Sequence, residues 1–239
     1  MSRLILVRHG QASFLEHNYD KLSQKGEFQS RILGEYWAGL KLKFDRVYSG
    51  PRVRQRETAR IAGEASKSAG LPWPEPVMLE SFNEFQAETV MERCLPELVA
   101  NDPGIAGMNQ AFRSATTRPE QFKTFQRMFE VVIGRWAEGQ LPLDGIEPWP
   151  EFCSRVQQAL AELTANGSRG EQIVIFSSGG PVGVAMQRAL GLSTEATLKT
   201  AWMVRNCAFN EFLFSAGRFT LSSYNATPHF TDPELITYR

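Results

Sequence analysis

"LILVRHGQA", residues 4–12, is the stretch on which the fold turns. Leu4 to Val7 read as a buried strand that stops abruptly at Arg8, His9 and Gly10. Outward from there, Phe28, Ile32, Leu33, Tyr36, Trp37 and Leu40 recur at helical spacing over 24–40, with Ser23 placed as N-cap. "FDRVYS" (44–49) is a second strand, and "PRVRQRETARIAGEASKSAG" (51–70) a second helix closed by Gly70. "PVMLESF" (76–82) is a third, short strand. Strands alternating with helices pair in parallel. The expected fold is therefore α/β, a three-layer sandwich with helices on both faces of a mainly parallel central sheet.

The pattern then changes. Residues 88–146 carry no convincing strand, and Phe122, Phe125, Phe129, Val132, Ile133 and Trp136 mark one amphipathic helix among them. This reads as a helical insertion over the active edge of a single domain spanning 1–239. A helix at about 149–166, closed by Gly167, leads into the strand "EQIVIFSS" (171–178). Pro181 then stands at the first position of a helix over 181–190. "CAFNEFLFSAGRFTLSSY" (207–224) is a hairpin turning at Ser215–Gly217, and the tail from Asn225 is loop-like.

Composition narrows the function classes. Lys plus Arg equals Asp plus Glu, 26 each, so the net charge is zero. A general nucleic-acid binder needs a basic surface, and this balance argues against one. Cys94, Cys153 and Cys207 are odd in number and in no metal-ligand spacing, which suits reduced thiols in the cytoplasm. The apolar run Leu4–Val7 is too short for a signal peptide, and no stretch approaches a membrane span. No membrane partner and no metal are expected, and the oligomeric state is left open.

Arg8, His9 and Gly10 lie just beyond the C-terminal end of the first strand, the edge where open α/β sheets bind ligands. A histidine there can be a nucleophile with an arginine as anion clamp, and Gly10 admits backbone amides closely. The same residues also suit a plain loop on the sheet rim. In the second helix Arg54, Thr58, Ile61 and Ala65 share one face, and Arg52, Arg56, Arg60 and Lys67 fall toward solvent. An inward Arg54 needs an anion, either a protein carboxylate or a phosphate.

Together, "LILVRHGQA", "YDKLSQKGEFQS" (19–30) and "VYSGPRVRQRETA" (47–59) resemble the histidine phosphatase superfamily, which includes phosphoglycerate mutase-like enzymes. "WPEFCSRVQQAL" (149–160) and "YNATPHF" (224–230) also fall where that family has similar sequences. The resemblance covers most of 1–86 and 147–230 and leaves the insertion out. It implies that unprotonated His9 attacks phosphorus to form a phosphohistidine, with Arg8 and Arg54 on the equatorial oxygens and no cofactor. It also implies a carboxylic acid after the third strand, to protonate the leaving oxygen. "LESFNEFQAE" (79–88) offers Glu80, Glu84 and Glu88; Glu84, flanked by apolar residues after the strand, is the choice.

The family's fourth strand typically ends in Ser-His-Gly-Gly, whereas this chain reads "SSGG" with Ser178 in the histidine's place. Ser178 can still donate to a phosphate oxygen but lacks a cation; read blandly, it is a turn residue bonding its own backbone. Of the other histidines, His17 reads as solvated and His229 as structural. A serine-hydrolase elbow at Ser178, with His229 and Asp232 as partners, lacks a glycine at position 176, which is phenylalanine. Arg93, Arg113, Arg118 and Trp149 are candidate substrate contacts in or beside the insertion. The expected activity is hydrolysis of a small phosphomonoester, ahead of a non-catalytic phosphate-ester binder and of a mutase.

Overall fold

β1 (Ser2–Arg8) is the buried strand its sequence announces, and Leu4 to Val7 are almost wholly removed from solvent. The computed structural model describes residues 1–13, 20–141, 143–165 and 168–238. After β1 come α1 (Gln24–Gly39), β2 (Arg46–Ser49), α2 (Val53–Ser68), β3 (Val77–Met78) and a 3-10 turn at Glu80–Phe82. Next are α3 (Ala87–Asn101), α4 (Pro103–Ser114), α5 (Arg118–Ala137) and α6 (Trp149–Ala165). Then β4 (Gln172–Ser177), α7 (Gly179–Leu190), α8 (Thr194–Trp202), β5 (Phe209–Ser215), β6 (Arg218–Ala226) and a 3-10 turn at Pro233–Leu235 complete the described chain. Two compact units result, Met1–Glu84 with Arg155–Arg239, and Phe85–Ser154.

The first unit holds a mixed six-stranded sheet of order β3-β2-β4-β1-β5-β6. β1 pairs in parallel with β4, β4 with β2, and β2 with β3, while β5 and β6 add an antiparallel edge. The fold is α/β with mostly parallel pairing, as its alternating pattern requires. Under the sheet, Ile5, Val7, Leu33, Trp37, Phe44, Val47, Ala59, Ala62, Trp73, Val174 and Phe176 form one core. Ser23 caps α1 by accepting from the Gly26 amide, and Gly191 ends α7 in the left-handed conformation with φ 68°.

Several boundaries differ from the sequence reading. β3 is the edge strand of the sheet and its two residues are exposed, and Glu80 lies in the 3-10 turn, outside any strand. α7 starts at Gly179, which makes Pro181 its third residue; the missing Pro181 N–H falls among the helix-start amides that have no intrahelical acceptor. α8 had no reading of its own, and β6 runs on to Ala226. The expected helix closure at Gly167 lies outside the described residues. In the second unit, Phe85, Trp136, Trp149 and Phe152 form an aromatic core. Trp149 is therefore a core residue, 3% exposed.

Candidate active site

His9 follows β1 directly and is 4% exposed. Its Nδ1 lies 2.7 Å from the Gly10 carbonyl, which can only accept, so Nδ1 carries the proton. Nε2 is then an acceptor, and it receives the Arg54 Nε–H at 3.0 Å. Burial holds the His9 pKa well below 6.5; the charges of Arg54 and Arg8 lower it further, the Gly10 carbonyl opposes them, and Arg52 adds a smaller lowering. The result is a neutral imidazole with its lone pair on Nε2, the form required of a nucleophile.

Arg54 points inward, 4% exposed, and its Nη1 pairs with Asp20 Oδ1 at 3.0 Å. Asp20 Oδ2 also accepts from the Val53 amide at 2.9 Å, so one carboxylate caps α2 and holds the arginine. Of the two anions that Arg54 could have met, the structure supplies the carboxylate. The buried face of α2 differs from expectation: Gln55, Thr58, Ala59, Ala62 and Ser66 are buried, whereas Ile61 and Ala65 are half-buried. Arg52 is not a solvent-facing helix residue. It is the N-cap, with Nε 2.9 Å from Asn83 Oδ1, and its charge reaches His9.

Gly10 also has a different reason from the one its motif suggests. Its amide donates to Thr58 Oγ1 at 3.0 Å, and a Cβ there would lie 2.5 Å from the Gly26 carbonyl oxygen. Close packing on α1 requires this glycine. Arg8, half-buried, donates through Nη1 to the Val204 carbonyl, and its charge acts on His9.

At the end of β4, Ser177 donates to the Phe82 carbonyl at 2.8 Å. Ser178, 1% exposed, is the N-cap of α7 and makes no capping bond with its side chain. Its Oγ accepts from Gln55 Nε2 at 2.8 Å, so the self-bonding turn reading does not hold. Glu84 Oε2 accepts from the Gly180 amide at 3.0 Å, which sets a carboxylate on the positive end of α7 beside Ser178. Glu80 is exposed on its 3-10 turn, and Glu88 opens α3 in the other unit. The structure thus gathers His9 with Arg54, and Ser178 with Glu84; Gln55 and Arg54, adjacent on α2, join the two pairs.

His17 lies outside the described residues. His229 packs against Tyr36, Phe209 and Phe230, and neither ring nitrogen has a hydrogen-bond partner among the described residues. Asp232 caps the Pro233–Leu235 turn. A His229–Asp232 base for Ser178 therefore finds no support. In the second unit Arg93 donates to the Asp144 carbonyl, Arg118 starts α5, and Arg113 lines a cavity of about 520 Å³ with Glu88, Glu92 and Phe125. Sequence reasoning missed Asp20, Gln55, Gln29 and Asn206. Gln55 does occupy the third position of a capping box, bonding the Arg52 amide at 3.0 Å, but the cap is arginine and the usual Ser/Thr signal is missing.

The fold is a mixed α/β sheet with a neutral histidine just beyond its first strand and the buried Arg54 of α2 bonded to that ring. The chain belongs to the histidine phosphatase superfamily (branch 1), whose family model matches residues 4–138 and 116–227. Among solved structures it is similar to a phosphoserine phosphatase of Entamoeba histolytica in complex with phosphoserine, at 19% identity, TM-score 0.63, and 96% and 99% coverage of the two chains. It is also similar to phosphoglycerate mutase from Bacillus anthracis, at 19% identity, TM-score 0.62, and 94% and 92% coverage. A mycobacterial glucosyl-3-phosphoglycerate phosphatase with inorganic phosphate matches at 18% identity, TM-score 0.61, and 97% and 100% coverage. At these identities the likeness shows the fold. No curated protein matches the chain. Among the described residues, no helix is long and apolar enough to cross a membrane.

Proposed function

We propose that the chain is a cytoplasmic phosphomonoester hydrolase working through a phosphohistidine on His9. The observation that carries this reading is the ring itself, with Nδ1–H on the Gly10 carbonyl and the Nε2 lone pair on Arg54. Nε2 attacks phosphorus, the ester P–O bond breaks, and Glu84 in its acid form gives a proton to the leaving oxygen. Water then attacks phosphorus and passes its proton to Glu84, the N–P bond breaks, and inorganic phosphate leaves. Arg54 shifts its Nε–H from His9 to an equatorial oxygen, and Arg8 holds another. Ser178 stands for the superfamily's second catalytic histidine. Because its Oγ accepts from Gln55, its own proton is available to a phosphoryl oxygen. A hydroxyl in place of a cationic donor slows turnover by roughly 10²–10³.

A second reading, a phosphate-ester binder without turnover, is favoured by the same serine and by the Arg54–Asp20 pair. A screen over phosphosugars, nucleotides, phosphoglycerates and phosphopeptides separates the two. The hydrolase reading expects slow turnover that vanishes in His9→Ala, and a kcat raised in Ser178→His with little change in KM. Tight binding of an ester with no turnover in either the parent or Ser178→His makes the chain a binder.

A further inference from the structure

The geometry points to Thr237 as a positioning residue that holds the nucleophile's loop through a one-way chain of hydrogen bonds. This inference rests on His9 being the nucleophile. The Gln11 amide donates to Gln29 Oε1 at 2.8 Å, and Gln29 Nε2 donates to Thr237 Oγ1 at 2.9 Å. The Thr237 hydroxyl donates to Asn206 Oδ1 at 2.9 Å, and Asn206 Nδ2 donates to the His9 carbonyl at 3.1 Å. The relay starts on one side of Gly10 and ends on the other. Each donor points the same way round, the arrangement in which bonds polarise one another.

The segment around Thr237 is itself anchored. Gln29 Nε2 also donates to the Leu235 carbonyl at 2.8 Å, and the Asn206 amide donates to the Thr237 carbonyl at 2.8 Å. Gln29 and Asn206 are fully buried, so neither can replace a lost partner with water at no cost. Thr237 is half-buried, and its hydroxyl is the link of this relay that accepts and donates through a single atom. That double role selects the flip of Asn206. With the hydroxyl on Oδ1, the NH₂ group faces His9; without it, no side-chain donor among the described residues holds Oδ1, and the amide is freer to turn its oxygen toward the His9 carbonyl. The His9 carbonyl then loses its donor, and the backbone that carries the ring and its Gly10 acceptor loosens.

The test compares Thr237→Val, which keeps the shape and removes the hydroxyl, with Thr237→Ser, which keeps the hydroxyl. Two readouts need no turnover: amide exchange at Gln11, and the ring ¹⁵N shifts of His9, which report the Nδ1–H tautomer. Thr237→Val should speed Gln11 exchange by about three- to tenfold and lower kcat by a similar factor, the scale of one net hydrogen bond, with KM within about twofold. It should also mix the second tautomer into the His9 signal, while Thr237→Ser matches the parent throughout. Parent-like exchange and His9 shifts in Thr237→Val, or equal changes in the valine and serine variants, overturn the relay. If the parent turns over no phosphomonoester, the hydrolase reading fails, and the exchange and ¹⁵N results still decide the relay.

Discussion

Two buried histidines in this chain show how the same side chain is made useful or left idle. His9 has both nitrogens engaged, and every nearby arginine favours its neutral form. His229 has neither nitrogen bonded among the described residues, lies 4.1 Å from the Phe230 ring centre, and has its pKa lowered by burial to about 4. Folded His229 thus refuses a proton that the unfolded chain accepts near pH 6.5. Between those values the unfolded state binds more protons, so stability falls as pH falls; the contribution is intact above pH 6.5 and lost by pH 4. The shift corresponds to about 3 kcal/mol. His229→Phe should keep the aromatic contacts, remove the unbonded polar atoms and raise stability at pH 7 by roughly 1–3 kcal/mol. Urea unfolding between pH 7 and pH 4 checks this: the variant should lose about 3 kcal/mol less than the parent. Parallel losses would show that His229 is not titrating in this range.

At the scale of elements, the legible parts were those whose burial is written in consecutive apolar residues. β1 and β4 are such runs, and α5 has its aromatic stripe. α1 was found for partly the wrong residues. Phe28 and Leu40 are 41% and 61% exposed, while the buried stripe is Gly26, Gln29, Ser30, Leu33, Gly34 and Trp37. Small residues are buried there because α1 meets α2 at backbone distance, a fact that hydrophobic periodicity does not carry. The site was legible to a similar degree. His9, Arg8 and Arg54 follow strands or a helix face, but Asp20, Gln55 and Asn206 act through directional bonds that leave no periodic trace. A Cβ on Gly34 would lie 2.3 Å from the Ala62 carbonyl oxygen, whereas one on Gly134 in α5 meets nothing within 4 Å. Gly34→Ala should therefore cost roughly 1–3 kcal/mol or more by overpacking. Gly134→Ala should add about 0.5–1 kcal/mol from helix propensity alone. Opposite shifts in unfolding free energy are the expected result; shifts of one sign would show that the α1–α2 contact yields to a methyl group.

For the molecule as a whole, parallel pairing of β1, β4 and β2 brings their C-terminal ends to one sheet edge. His9 leaves the first, Ser178 follows the second, and α2 with Arg54 follows the third. β3, parallel to β2, leads to Glu84. Every residue placed in the proposed chemistry therefore belongs to the unit formed by Met1–Glu84 and Arg155–Arg239. With a net charge of zero, the chain as a whole offers an anion little attraction, so binding must come from these local groups. Inorganic phosphate, lacking any ester group, should then stabilise this unit selectively. At a phosphate concentration of about 100 Kd, linkage gives roughly 2.7 kcal/mol, or about 100-fold slower exchange for amides that open with the bound unit. Hydrogen exchange should show that slowing in β1, β4, α2 and α7 and leave α3, α4 and α5 at their ligand-free rates. Arg54→Ala should abolish the slowing while changing the ligand-free pattern only at the start of α2 and around its partners His9 and Asp20. Equal slowing in α3–α5, or its survival in Arg54→Ala, would move the phosphate site away from the edge where β1, β2 and β4 end.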